Sequence, residues 1–147
     1  MLKTIIASIV LLSLFQVTVA QCDKKYKLVV DRVVSINADS TDGAELPFTV
    51  GVVILKDSIR ITITTPEGDA NIDGKHTDIV CKMNADYTEG YIEYKTDAQM
   101  LRGSETRDVK MNFRLEAKAG VLKLFGAPDT EPNERICFYI KEKQPVQ

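Results

Sequence analysis

Ile59-Arg60-Ile61-Thr62-Ile63-Thr64 decides the fold: isoleucine alternates with a polar residue, so an extended strand puts every isoleucine on one face and every polar residue on the other. Isoleucine and threonine are also branched at Cβ, which favours a pleated, half-buried strand. Val109-Lys110-Met111-Asn112-Phe113-Arg114-Leu115-Glu116 repeats the alternation over a longer span. Its apolar set faces a core, and its Lys, Asn, Arg and Glu face water.

Working outward, the same reading predicts strands at Tyr26 to Ile36, Phe48 to Leu55, Asp78 to Met83, Tyr91 to Thr96, Val121 to Phe125 and Ile136 to Lys141, about eight in all. Lys56-Asp57-Ser58, Thr88-Glu89-Gly90 and Ala119-Gly120 read as tight hairpin links, which imply antiparallel neighbours. Asp97-Ala98-Gln99-Met100-Leu101-Arg102-Gly103 has a capping acid, good helix formers and a terminal glycine, the pattern of a short helical turn. Asn37 to Pro47, Pro66 to Thr77 and Gly126 to Glu134 collect Gly, Pro, Asp and Asn and read as loops. The residues after Lys141 read as a short flexible tail.

An all-β meander of about eight antiparallel strands closes into a full or partly open barrel, which removes exposed edges, or folds as a two-sheet β-sandwich. Closure is the preferred expectation. The architecture resembles the calycin group, lipocalins and fatty-acid-binding proteins, in size and strand order alone. The lipocalin Gly-x-Trp signature is absent because the chain has no tryptophan, and no ligand-binding residue is carried over.

Met1 to Gln21 has the layout of a secretory signal: one lysine, an apolar run from Ile5 to Phe15, and Thr18 and Ala20 at the positions a signal peptidase reads. Cleavage after Ala20 leaves residues 21–147 as one all-β domain, exported to the periplasm or beyond the cell. Val19-Ala20-Gln21-Cys22 loosely resembles a lipobox, so acylation of Cys22, giving an outer-envelope lipoprotein, competes with simple cleavage. Only that route brings the protein to a membrane. The signal holds one of the 19 Lys and Arg and no acid, so the mature chain carries 18 bases against 21 acids. Lysines interspersed with acids make no concentrated phosphate-binding surface, which argues against nucleic acid as a partner.

Cys22, Cys81 and Cys137 are an odd number in an exported protein, so at least one is free, lipidated or intermolecular. If Cys22 is acylated, Cys81 and Cys137 remain as the pair; if not, Cys22 competes for Cys137. Periodicity places Cys81 on the face of Ile79 and Met83, and Cys137 opposite Ile136, Phe138 and Ile140. Those opposite faces weigh against a Cys81–Cys137 disulfide, and a buried apolar Cys81 is the alternative.

Asp69-Ala70-Asn71-Ile72-Asp73-Gly74 matches the first half of a calcium loop, but Val80 stands where an EF-hand needs its bidentate glutamate. A solvated loop is the expected reading, as it is for Asp39, Asp42 and Glu45. His76 is the sole histidine and no Gly-x-Ser-x-Gly elbow is present, so no catalytic residue, metal ligand or cofactor is assigned. Acids around His76 point to a surface position. Tyr91 and Tyr94 fall on opposite faces with Tyr87 near their turn, an aromatic recognition surface or ordinary cross-strand packing. Arg102 and Arg107 flank Gly103-Ser104, an anion contact or a solvated loop.

Two functions fit these residues. One is a non-enzymatic carrier holding a small apolar ligand against inward Ile61, Ile63, Met111 and Phe113. The other is an envelope structural or protein-interaction module in which those side chains fill the core.

Overall fold

The computed structural model describes residues 22–147, so the expected signal segment and Gln21 lie outside the described residues. Nine strands follow one another: β1 (Tyr26–Ile36), β2 (Asp42–Leu46), β3 (Thr49–Ile54), β4 (Ser58–Thr65), β5 (Gly68–Met83), β6 (Gly90–Arg102), β7 (Glu105–Lys118), β8 (Val121–Pro128) and β9 (Ile136–Pro145). They form one sheet, in the order β2-β1-β3-β4-β5-β6-β7-β8-β9, and pairing of β1 with β9 closes it. Every pairing is antiparallel. The result is a closed barrel, not a sandwich. β2 and β3 share one edge of β1, Val33 and Val34 facing Leu46 and Glu45, and Tyr26 to Val29 facing Ile54 to Gly51. They act as one strand broken at Pro47-Phe48, where proline cannot donate to the ladder. The wall therefore has eight strands, with β2 as an added segment.

Several strands run longer than their hydrophobic runs predict. The expected helical turn at Asp97 to Gly103 is instead the end of β6, paired on both sides: Asp97 faces Lys75 and Lys110, and Leu101 faces Asn71 and Thr106. Two ladders override the modest helix preference of Ala, Gln, Met and Leu. The expected loop at Pro66 to Thr77 is largely the first half of β5, and β2 occupies part of the expected loop at Asn37 to Pro47. β9 continues through the expected tail to Pro145.

Two irregularities decide which side chains face inward. The register of β5 against β6 shifts between His76 and Asp78. Before it Ile72, Gly74 and His76 face the interior; after it Ile79, Cys81 and Met83 do. A second shift in β1, between Val29 and Arg32, sends Tyr26, Leu28 and Val33 inward and Val34 and Ile36 outward. Inside, Leu28, Val52, Ile61, Ile92, Tyr94, Leu115 and Leu124 are fully or almost fully buried within one continuous cluster. Ile63 packs against it. A smaller cluster of Val34, Ile36 and Cys137, flanked by Phe125 and Tyr139, lies outside the wall.

The meander sends alternate turns to opposite ends. At the first end lie the β3–β4, β5–β6 and β7–β8 turns with Cys22 and Pro145; at the second lie the β1–β2, β4–β5, β6–β7 and β8–β9 turns. The β5–β6 turn reverses sharply into Gly90, whose φ is +111° and where any Cβ would collide with the Lys82 backbone. Asn84 holds this turn by accepting the Thr88 and Glu89 amides at 2.9 and 3.1 Å.

Candidate functional site

Three places combine polar chemistry with a defined shape: the interior near the first end, a groove across the outer wall, and the free edge of β7.

Inside, the Tyr26 and Tyr94 hydroxyls are hydrogen-bonded at 2.8 Å. Tyr87 meets Tyr26 edge-on, with ring centroids 5.8 Å apart, and folds back from its turn to a buried position despite a φ of +55°. A bulky residue in the left-handed region is strained, and burial of its ring offsets that strain. Lys143 sets its ammonium 4.0 Å from the Tyr87 ring centroid. His76 stacks on Tyr94 at 4.7 Å, with Nδ1 3.3 Å from the Thr96 hydroxyl. Its Nε2 is buried without a hydrogen-bond partner. The surface position expected for His76 is thus corrected: as an even-numbered residue ahead of the β5 shift, it turns inward. Gly74, cross-strand from Ala98, leaves room for the Thr96 methyl, which a Cβ there would strike.

Burial governs the titration of this group. It raises the pKa of Tyr26 and Tyr94, reinforced for Tyr26 by the neighbouring phenols. Burial also lowers that of His76, against opposing pulls from the Ser58 and Leu55 carbonyls. The tyrosines stay neutral and none is activated as a base. Thr96, the hydroxyl nearest the imidazole, is 2 % exposed, too little for a substrate to reach.

The cysteines pair differently from the Cys81–Cys137 expectation. Cys22 and Cys81 form a disulfide, with Cα atoms 6.1 Å apart, tying the segment before β1 to β5. Cys137 faces outward beside Val34 and is fully buried as a free thiol. Burial pushes its pKa up to about 11, which keeps it protonated and unreactive. A thioether-linked lipid would compete with this disulfide for the Cys22 sulfur.

On the outer wall a groove of about 900 Å³ crosses β5 to β8, with Phe125, Ala127 and the 38 %-exposed Val80 among its lining. Arg114 organises its middle: it bonds Glu93, donates to Glu116 at 3.1 Å, and lies 3.8 Å over the Tyr91 ring centroid. Tyr91 and Tyr94 thus divide as their spacing predicts, one outside and one inside. Asn112 donates to Asp129 at 2.9 Å along the same groove.

The remaining sequence candidates are structural. Asp69, Asn71 and Asp73 occupy alternate positions on a strand, not a loop, and Asp73 accepts from Arg60 at 2.6 Å. Asp39 closes the β1–β2 turn by accepting the Thr41 amide at 3.0 Å, and the Thr41 bonds lower its pKa. Asp42 takes the Tyr139 hydroxyl and an ion pair with Arg32 at 3.5 Å, while Glu45 lies exposed opposite Val34. Arg102 and Arg107 each hold a carboxylate, Glu67 at 3.4 Å and Glu105 at 3.3 Å.

The third place is a concavity of about 470 Å³ bounded by Asp97, Ala98, Gln99, Asp108, Val109 and Lys110. It lies where β7 continues past β8: β6 pairs with β7 from Arg102–Glu105 onward, whereas β8 pairs only from Met111. Sequence periodicity misses this edge because Glu105 to Asp108 carry no apolar alternation. Comparison with known proteins finds no matching family model, curated protein or solved structure.

Proposed function

We propose that this chain is an exported, non-enzymatic binding module that meets its partner on the outside of the barrel, around a packed interior. The observation that carries the reading is the continuous inner cluster: side chains from both sides of the wall meet in it, bridged by the Tyr26–Tyr94 hydroxyl pair. Of the side chains that would line a carrier's cavity, Ile61, Met111 and Phe113 are buried in that cluster and half-buried Ile63 packs against it. Export is supported by the N-terminal apolar run and by the Cys22–Cys81 bond, which suits an oxidising compartment. The partner on this reading is another envelope or extracellular protein.

Native mass spectrometry of the mature protein from its own host tests the reading. A bare protein mass is the expected result. A reproducible adduct that leaves on denaturation would instead establish a lipocalin-like carrier of a small apolar ligand.

A further inference from the structure

We propose that the Glu105–Val109 edge of β7 is a strand-docking site for an extended polypeptide with alternating apolar and basic side chains. The inference rests on the binding-module reading and adds where the partner lies and what it looks like.

The backbone makes the site. Lys110 accepts the Asp129 amide on its β8 side at 2.8 Å, after which the chain turns away toward Pro132. In an antiparallel ladder, residues two apart direct their N–H and C=O to the same side. Asp108 and Thr106 therefore aim theirs where β8 would continue, and among the described residues no strand lies there. β2 and the end of β5 past Lys75 likewise have a ladder on one side only, but this stretch of β7 is the edge that adjoins the 470 Å³ concavity, and an added strand can extend it.

The side chains choose the occupant. Opposite residues share a face, so a guest residue facing Val109 points inward, toward half-buried Val109 and buried Ala98. That position favours an apolar side chain. Guest residues facing Asp108 and Thr106 point outward, on the same face as Gln99 and the 40 %-exposed Leu101 of β6, which lie one strand further on. There Lys110 is the cross-strand neighbour of Asp97, while Asp108 receives only the neutral Gln99 amide, at 3.2 Å. No ion pair reaches Asp108 among the described residues. A lysine or arginine on the guest completes it.

The test is titration of the ¹⁵N-labelled mature chain with the capped peptide acetyl-Val-Lys-Val-Lys-Val-amide. The expected result is chemical-shift change confined to Glu105–Lys110 and the facing residues Gln99 and Leu101, with slowed exchange of the Thr106 and Asp108 amides. A peptide N-methylated on the residues that bond the edge should bind at least about tenfold more weakly. Replacing lysine by glutamate in the peptide, or Asp108→Asn in the protein, should weaken binding about threefold. An absence of shifts at millimolar peptide overturns the proposal, as do shifts centred on the Arg114 groove; the latter leave the binding-module reading standing. Thr106 and Asp108 amides protected without peptide, in a concentration-dependent dimer, would identify a second copy as the occupant and also overturn it. An adduct in the native mass spectrum removes the packed-interior reading, whichever way the peptide behaves.

Discussion

The two ends of this barrel are held by different physics. At the first end the links include a cross-link, a buried ring and backbone bonds: the Cys22–Cys81 disulfide, the Tyr87 ring packed on Tyr26, the Gly120 amide on the Thr88 carbonyl at 3.1 Å, and the His76 amide on the Asp57 carbonyl at 2.8 Å, beside the exposed Lys56–Asp23 pair at 3.8 Å. At the second end, exposed side chains link the turns, Arg102 to Glu67 at 3.4 Å and Arg135 to Ser40 at 2.9 Å, beside one backbone bond from the Ile36 amide to the Arg135 carbonyl at 2.9 Å. Exposed pairs contribute little, about 0 to 1 kcal/mol each, whereas buried contacts and cross-links contribute several times more. The interior near the first end fixes the fold, while the start of β7 at the second end keeps a strand edge beside a concavity.

Truncation should show the contrast at its largest. Tyr94→Ala removes an almost fully buried ring and its hydroxyl bond and should cost about 3 to 5 kcal/mol, while Leu101→Ala, at the second end, should change stability by less than about 0.5 kcal/mol. Urea unfolding of both variants measures the difference, and similar losses would abolish the distinction between the ends. Next in size is the cross-link: Cys22→Ser should destabilise by about 2 to 4 kcal/mol, read from the same denaturation curves.

Acid and alkali should sharpen the comparison further, because the titrating interior groups cluster near the first end. Burial lowers the folded-state pKa of His76 from 6.5, so protons favour the unfolded chain. Its contribution is constant well above that value and becomes unfavourable as pH falls below it, toward the lower folded pKa. His76→Gln should flatten this part of the melting-temperature profile between pH 7 and pH 4, roughly the range over which histidine titrates. Tyr26 and Tyr94, with raised pKa values, should weaken the fold above the ordinary phenol value of 10.0, where the unfolded chain ionises first. The smallest effect belongs to the β7–β8 turn, where Ala119 and Gly120 both have positive φ, 49° and 76°. Asparagine tolerates that conformation better than alanine, so Ala119→Asn should add about 0.5 to 1 kcal/mol to the unfolding free energy.

The barrel was legible wherever one face of a strand is apolar and the other polar, as from Ile59 to Thr64 and from Val109 to Glu116. The first half of β5 was not, because its inner positions include Ala70, with only a methyl, and Gly74, with no side chain, so no hydrophobic period is left to read. The end of β6 was misread because its helix-forming residues are overruled by neighbours on both sides. The opposite orientations of Cys81 and Cys137 followed from periodicity. The nearness of Cys22 to Cys81 did not, since it depends on β5 reaching the start of the chain. The interior place of His76 and the edge of β7 were hidden for a related reason: each is set by register against another strand, which no local pattern records.

Residue-resolved amide exchange of the protein tests most directly whether the interior near the first end fixes the fold while the start of β7 offers an open edge. Ile92 and Tyr94, paired on both sides, should exchange only through global unfolding, whereas Thr106 and Asp108 should exchange within the shortest times measured. Fast exchange at Ile92 and Tyr94, or strong protection of Thr106 and Asp108 in the isolated monomer, would contradict it.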